Sequence, residues 1–219
     1  MTLALDHVAL RCGDLNAGAN TFARETGLAL APGGKHPRMG THNRLLFTGG
    51  DTYLELISID PTAANPEEPR WFGLDDVLPD AAPTLSFWVL RVTDLDAALS
   101  IARDHGLDLG APLALSRGTL NWRLAVRQDG NLPLGGCAPV LIEWPEGVHP
   151  TQTMAETGVT VSRLEVRHPD ASSILAACTA LGGLPDTVYV DNGGPEISVT
   201  LRKSSGQDVV IRSQGGIRQ

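Results

Sequence analysis

The chain has 219 residues, 42% of them hydrophobic, enough to bury a sizeable core as one large domain or two small ones. Its formal net charge of −8 argues against nucleic acid and against anionic membrane, since both need clustered Lys and Arg. Cys12, Cys137 and Cys178 are scattered without CxxC spacing, no basic leader precedes Asp6, and no apolar run reaches membrane-spanning length; a reduced, cytoplasmic protein is expected.

Residues 5–11 alternate around β-branched Val8 and read as a strand. Asp14 stands where an N-cap belongs, residues 16–26 carry a sparse apolar stripe, and Gly27 ends it, which predicts a helix. Residues 28–30 form a short strand candidate, broken by Pro32-Gly33-Gly34 and followed by a loop over 35–43. Strands over 44–48 and 52–59 join through the hairpin turn Gly49-Gly50-Asp51. Residues 1–60 thus read as a βαβββ module. Residues 61–83 hold Pro61, Pro66, Pro69, Pro79 and Pro83 and no sustained periodicity, so they are expected to be a connector. Trp71-Phe72 within it argue that it packs on the domain or covers a pocket.

The pattern then returns. A strand over 84–92, a helix over 95–105 with Asp94 at its N-cap and Gly106 behind it, and strands over 113–116, 122–127 and 140–144 make residues 84–150 a second βαβββ module. Asp14-Leu15 recurs as Asp94-Leu95, and Gly40-Thr41-His42-Asn43 as Gly118-Thr119-Leu120-Asn121. Tyr53-Leu54-Glu55-Leu56 aligns with Leu141-Ile142-Glu143-Trp144 at an offset of 88 (143 − 55). Ordered anchors of this kind indicate duplication. Residues 151–219 give the order β-α-β-β-β once more, without the Gly-Thr-x-Asn frame or a last-strand glutamate matching Glu55 and Glu143, and are expected to be a structural module or an oligomer contact. The predicted class is α+β: tandem βαβββ modules forming a curved mixed sheet around a cleft, plus a third βαβββ-like module.

If the paired modules curve around one cleft, His7 and Glu55 of the first converge with Phe87 and Glu143 of the second. One histidine and two carboxylates suit a divalent metal such as Zn, Mn, Ni or Fe, or a general base. Each also has a structural reading. His7 could be a core histidine bonded to Glu55, Glu143 could pair with Arg123, and Asn43 and Asn121 could hold turn backbone. His36, His42, Asn43, Trp122 and His149 are expected beside the cleft as small-molecule contacts.

Leu5-Asp6-His7-Val8, Asp14-Leu15, the repeated βαβββ units and the strand glutamates together resemble the vicinal oxygen chelate superfamily. Its members include glyoxalase I, extradiol dioxygenases and fosfomycin-resistance proteins. Gly33–Pro37, Gly40–Asn43, Tyr53–Leu56 and Ile142-Glu143-Trp144 with His149-Pro150 resemble more narrowly the glyoxalase-like domain family. The resemblance implies metal ligands at His7, Glu55 and Glu143, with Glu55 and Glu143 also moving protons. Phe87 cannot ligate, which speaks against a dioxygenase triad. The resemblance further implies a lyase or isomerase acting on vicinal oxygens, or a metal-free protein that binds and sequesters a small molecule. By analogy with superfamily modules that pair across subunits, it also implies a possible homodimer.

Overall fold

The structure is a computed structural model and describes residues 2–213 and 216–218. The first unit comprises β1 (Ala4–Arg11), α1 (Leu15–Thr26), β2 (Ala31–His36), β3 (Thr41–Phe47) and β4 (Tyr53–Ile59). The second comprises β5 (Thr84–Arg91), α2 (Leu95–Asp104), β6 (Ala111–Arg117), β7 (Leu120–Val126) and β8 (Val140–Glu143). Both helices start as their sequences predict. The Asp14 carboxylate accepts the Ala17 N–H at 2.7 Å and Asp94 accepts that of Ala97 at 3.0 Å, satisfying donors that a first turn leaves free.

The two units lay down their strands identically, as β2-β3-β4-β1 and β6-β7-β8-β5. In each, the first strand runs parallel to the last. β1 and β5 then pair antiparallel and fuse the units into one eight-stranded sheet. The sheet curls until its edges meet. Arg38, just after β2, donates to the Ala114 carbonyl of β6 at 3.3 Å, and the Arg117 side chain of β6 lies against Gly34 of β2. Eight strands curled this far enclose room for side chains and little more than one small ligand.

Strand alternation divides the apolar residues between two cores. Val8, Leu10, Leu54, Leu56, Trp88 and Leu90 point to the convex face, where α1 and α2 cover them. Ala9, Ile57, Phe87, Val89, Val140 and Ile142 point into the curl. The connector joins this inner core. Trp71, Phe72 and Leu74 are buried there, and Phe72 stacks on Phe87 with ring centroids 4.2 Å apart. Phe72 takes the left-handed φ of 60°, a costly conformation for an aromatic residue. The Arg11 guanidinium stabilises it by donating to the Phe72 carbonyl at 2.6 Å.

The remaining elements are β9 (Val159–Arg167), α3 (Ala171–Ala180), β10 (Val188–Asp191), β11 (Glu196–Lys203), β12 (Asp208–Arg212) and β13 (Gly216–Arg218). The elements from β9 to β12 follow the expected β-α-β-β-β order and β13 is an added strand; the sheet is ordered β10-β9-β11-β12-β13, with β10 parallel beside β9. Its apolar face, including Val159, Leu164, Val199 and Leu201, shares the convex core with α1 and α2. The Lys203 ammonium donates to the Thr26 carbonyl at 2.7 Å and fastens the second sheet to the end of α1. This sheet therefore backs the curl and takes no part in its interior. No helix among the described residues is long and apolar enough to cross a membrane.

The boundaries that differ most from the sequence reading are those of β2 and β3. The short strand expected over 28–30 is instead β2 at Ala31–His36, and β3 begins at Thr41 inside the expected loop. Pro32-Gly33-Gly34 read as a break, yet they lie on an edge strand, where a missing N–H and a bulge are tolerated. Pairing with β3 slips between Pro32 and Lys35. The Gly-Thr-x-Asn frame is architectural where it repeats: Gly40 and Gly118 both adopt left-handed φ, 60° and 58°, at chain reversals.

Candidate functional site

A cleft inside the curl encloses about 470 Å³ of empty space, part of it open to solvent. His7, Asn43, Tyr53 and Glu55 line it from the first unit, Arg117, Trp122 and Ile142 from the second, and Trp71 and Phe72 from the connector. The polar chemistry is built outward from β1. Pairing of β1 with β5 slips at Asp6, so that Leu5 faces Leu90 while His7 faces Val89. This bulge lets the side chains of two consecutive residues meet: His7 Nδ1 lies 2.7 Å from Asp6 Oδ1.

Asp6 is fully buried and accepts three donors. Besides His7, these are the Trp144 indole N–H at 3.0 Å and His149 Nε2 at 3.1 Å. Burial alone would raise its pKa, but the bonds from His149 and His7 outweigh that and hold the carboxyl well below the usual range. An ionised Asp6 can only accept, so His7 carries a proton on Nδ1 and His149 one on Nε2. His149 Nδ1 then accepts from the Thr151 hydroxyl at 2.7 Å.

On the cleft side, His7 Nε2 stands 3.6 Å from Glu55 Oε2, too far for a hydrogen bond. Glu55 Oε1 is held instead by the Asn43 amide at 2.5 Å, and Asn43 Oδ1 in turn accepts the Gly34 N–H at 2.7 Å. Gly33 makes this possible, since a Cβ there would lie 2.1 Å from Asn43 Oδ1. Tyr53 stacks on His7 at 4.5 Å. Burial, then the charges of Asp6 and Glu55, push its pKa well above 10, so its hydroxyl stays protonated.

His36 is buried beside Trp71 and Trp122, with Nδ1 3.0 Å from the Thr41 hydroxyl. Burial first, then the charge of Arg117, lowers its pKa to about 3. The folded protein therefore resists a proton that the unfolded chain takes up near 6.5. Stability is expected to fall as pH drops from about 6.5 toward 3, by up to about 1.4 kcal/mol per unit. Urea midpoints at pH 7 and pH 5 check this, and His36→Phe should flatten the dependence.

Three expected site residues stand elsewhere. Glu143 does not join His7 and Glu55. Its carboxylate accepts the Leu95 N–H at 2.9 Å at the start of α2 and pairs with Arg123 at 3.2 Å, the structural alternative weighed for it. The cause is register. Ala9 pairs with Glu55 and Val89 with Val140, so Glu55 corresponds to Val140 at an offset of 85 (140 − 55), not 88. An odd slip of three moves a side chain to the other face. Glu143→Ala is therefore expected to cost about 1 kcal/mol in thermal stability through the helix start, while leaving any ligand's Kd unchanged.

His42 alternates with Asn43 on β3 and so faces away from the cleft, where it bonds Ser58 at 3.0 Å. His149 lies behind the cleft wall, bonded to Asp6 and packed against Tyr53 and Trp144 of the lining. His36, Asn43 and Trp122 do line the cleft. Asp6, Tyr53, Arg117 and Trp144 lie outside the contacts expected from sequence, whereas Trp71 and Phe72 stand in the cleft lining, in keeping with a connector that packs on the domain or covers a pocket.

The divalent ion that the sequence resemblance implies does not fit these donors. His7 and Glu55 supply two, and Phe87 and Val140 occupy the matching places of the second unit. Among the described residues no three His, Cys, Asp or Glu side chains gather closely enough to hold an ion.

One solved structure shares the architecture over most of the chain. A crystal structure of a hypothetical protein from Staphylococcus aureus aligns with 88% of this chain and 87% of its own, at 16% identity and a TM-score of 0.58. Methylmalonyl-CoA epimerase from Mycobacterium tuberculosis aligns over 69% of this chain and 91% of its own, at 22% identity and a TM-score of 0.44. A Streptomyces coelicolor methylmalonyl-CoA epimerase variant in complex with 2-nitronate-propionyl-CoA aligns over 67% and 96%, at 19% identity and a TM-score of 0.41. No curated protein is similar to the chain in sequence. The model of the glyoxalase-like domain matches residues 5–182, and the chain belongs to that family.

Proposed function

We propose that the cleft binds a small carbonyl compound and that His7 and Glu55 move a proton on it without a metal ion. The observation that carries this reading is their disposition. Nε2 and Oε2 stand 3.6 Å apart, each anchored from behind, one by Asp6 and the other by Asn43. Two titratable groups held at one position, neither bonded to the other, suit removal and return of a proton. Glu55 takes the proton from the carbon next to the carbonyl, the C–H electron pair passes to the carbonyl oxygen as an enolate, and the proton returns to either face. This is an isomerase-type reaction. The aromatic walls exclude water and strengthen each electrostatic contact.

Incubation of simple ketones with the protein in D₂O tests the proposal. Deuterium should enter the position next to the carbonyl faster with the protein than without it. The aromatic walls also favour a second reading, binding and sequestration alone. Saturable binding with no exchange above background would select that reading.

A further inference from the structure

We propose that the ligand has two parts: an uncharged carbonyl head in the cleft and an unbranched apolar tail in the groove beside it. The inference rests on the cleft reading above and adds the chemical class of the ligand. Its first support is continuity. A larger groove of about 1160 Å³, open to solvent, shares Leu45, Arg117 and Pro150 with the cleft. Beyond that junction its walls are largely carbon, from Leu30, Leu46, Phe47, Leu120 and Met154. A molecule confined to the cleft would leave this apolar surface in water, whereas a chain running past Arg117 covers it.

The second support is an orphan donor. Trp71 lines the cleft, is 2% exposed, and its indole N–H has no partner among the described residues. A buried donor of this kind costs free energy until an acceptor meets it. A carbonyl oxygen supplies one. Glu55 lines the cleft and the ionised Asp6 lies behind the His7 wall, two carboxylates against the single Arg117 guanidinium at the junction, so a carboxylate head is disfavoured there. The cleft thus selects a neutral oxygen and the groove selects length.

The test is a series of 2-alkanones from 2-butanone to 2-decanone, with Kd measured by ligand-observed NMR. Affinity should tighten about fourfold for each added methylene until the groove is filled, then level off. Met154→Asp, and as a second groove variant the exposed Ala155→Asp, should flatten that slope and leave 2-butanone unaffected. Trp71→Phe should weaken every member about five- to tenfold and keep the slope. Equal affinity along the series, or an unchanged slope in both groove variants, overturns the tail assignment while the cleft reading stands. Equal binding of every ketone by Trp71→Phe and the native protein overturns the head assignment. Binding of no ketone at all overturns the cleft reading, and this inference with it.

Discussion

Asp6→Ala is expected to destabilise the protein by about 3–5 kcal/mol, the usual cost of removing one member of a buried charged cluster. The carboxylate is inaccessible to solvent and receives donors from His7, Trp144 and His149, which come from two widely separated parts of the chain. Its loss would leave three N–H groups without this acceptor, two of them on buried histidines. Asp6→Asn keeps the volume and one acceptor oxygen but sets an amide N–H₂ against the imidazoles, so a smaller loss of about 1–3 kcal/mol is expected. Because the folded pKa is depressed, the stability that Asp6 contributes is fully present above about 3.8 and is lost as pH falls below that value. The His36 effect begins higher, from about 6.5. The stability of the native protein should thus fall in two successive windows on acidification, and Asp6→Asn should remove only the lower one. An Asp6→Ala protein as stable as the native one would show that the cluster holds nothing together.

That cluster also marks the limit of what could be read from the sequence. The duplication was legible because helix caps and turn glycines must recur wherever a βαβββ unit is built, as Asp14 with Asp94 and Gly40 with Gly118 do. The cleft-facing positions His7 and Glu55 followed from the strand pattern, whereas Asn43 was expected beside the cleft from a loop that the structure replaces with β3. Asp6 did not. In a regular strand its side chain would point away from that of His7, and only the slip against β5 brings the two together. No local residue signals the slip. Glu143 failed for a related reason. Letter matching placed it opposite Glu55, but hydrogen-bonded pairing puts Val140 there, and strand alternation makes an odd error total rather than partial. His42 sits one residue from Asn43 and is lost to the same alternation. Trp71 lies in a connector without periodicity, so its place against His36 depends on tertiary packing that no spacing rule reports.

Glu55→Gln separates chemistry from binding most sharply. Gln is nearly isosteric, and its side-chain oxygen can still accept the Asn43 amide that holds Oε1 at 2.5 Å. Its nitrogen would then face His7 Nε2, a ring nitrogen able to accept once its other proton is committed to Asp6. The cleft should therefore keep its shape, and ketone Kd should change by less than about threefold, an allowance smaller than the loss of one hydrogen bond. The exchange rate should fall about 10²- to 10⁴-fold, the range for removing a general base. His7→Gln disturbs both partners of the ring, Asp6 behind and Glu55 in front, so it should lower exchange and stability together. An equal loss of binding and exchange in Glu55→Gln would mean that Glu55 only shapes the cleft. Unchanged exchange would place the base elsewhere, on His7 alone. A selective fall in rate, with Kd and thermal stability preserved, is the result that a carboxylate positioned by Asn43 and kept clear of His7 should give.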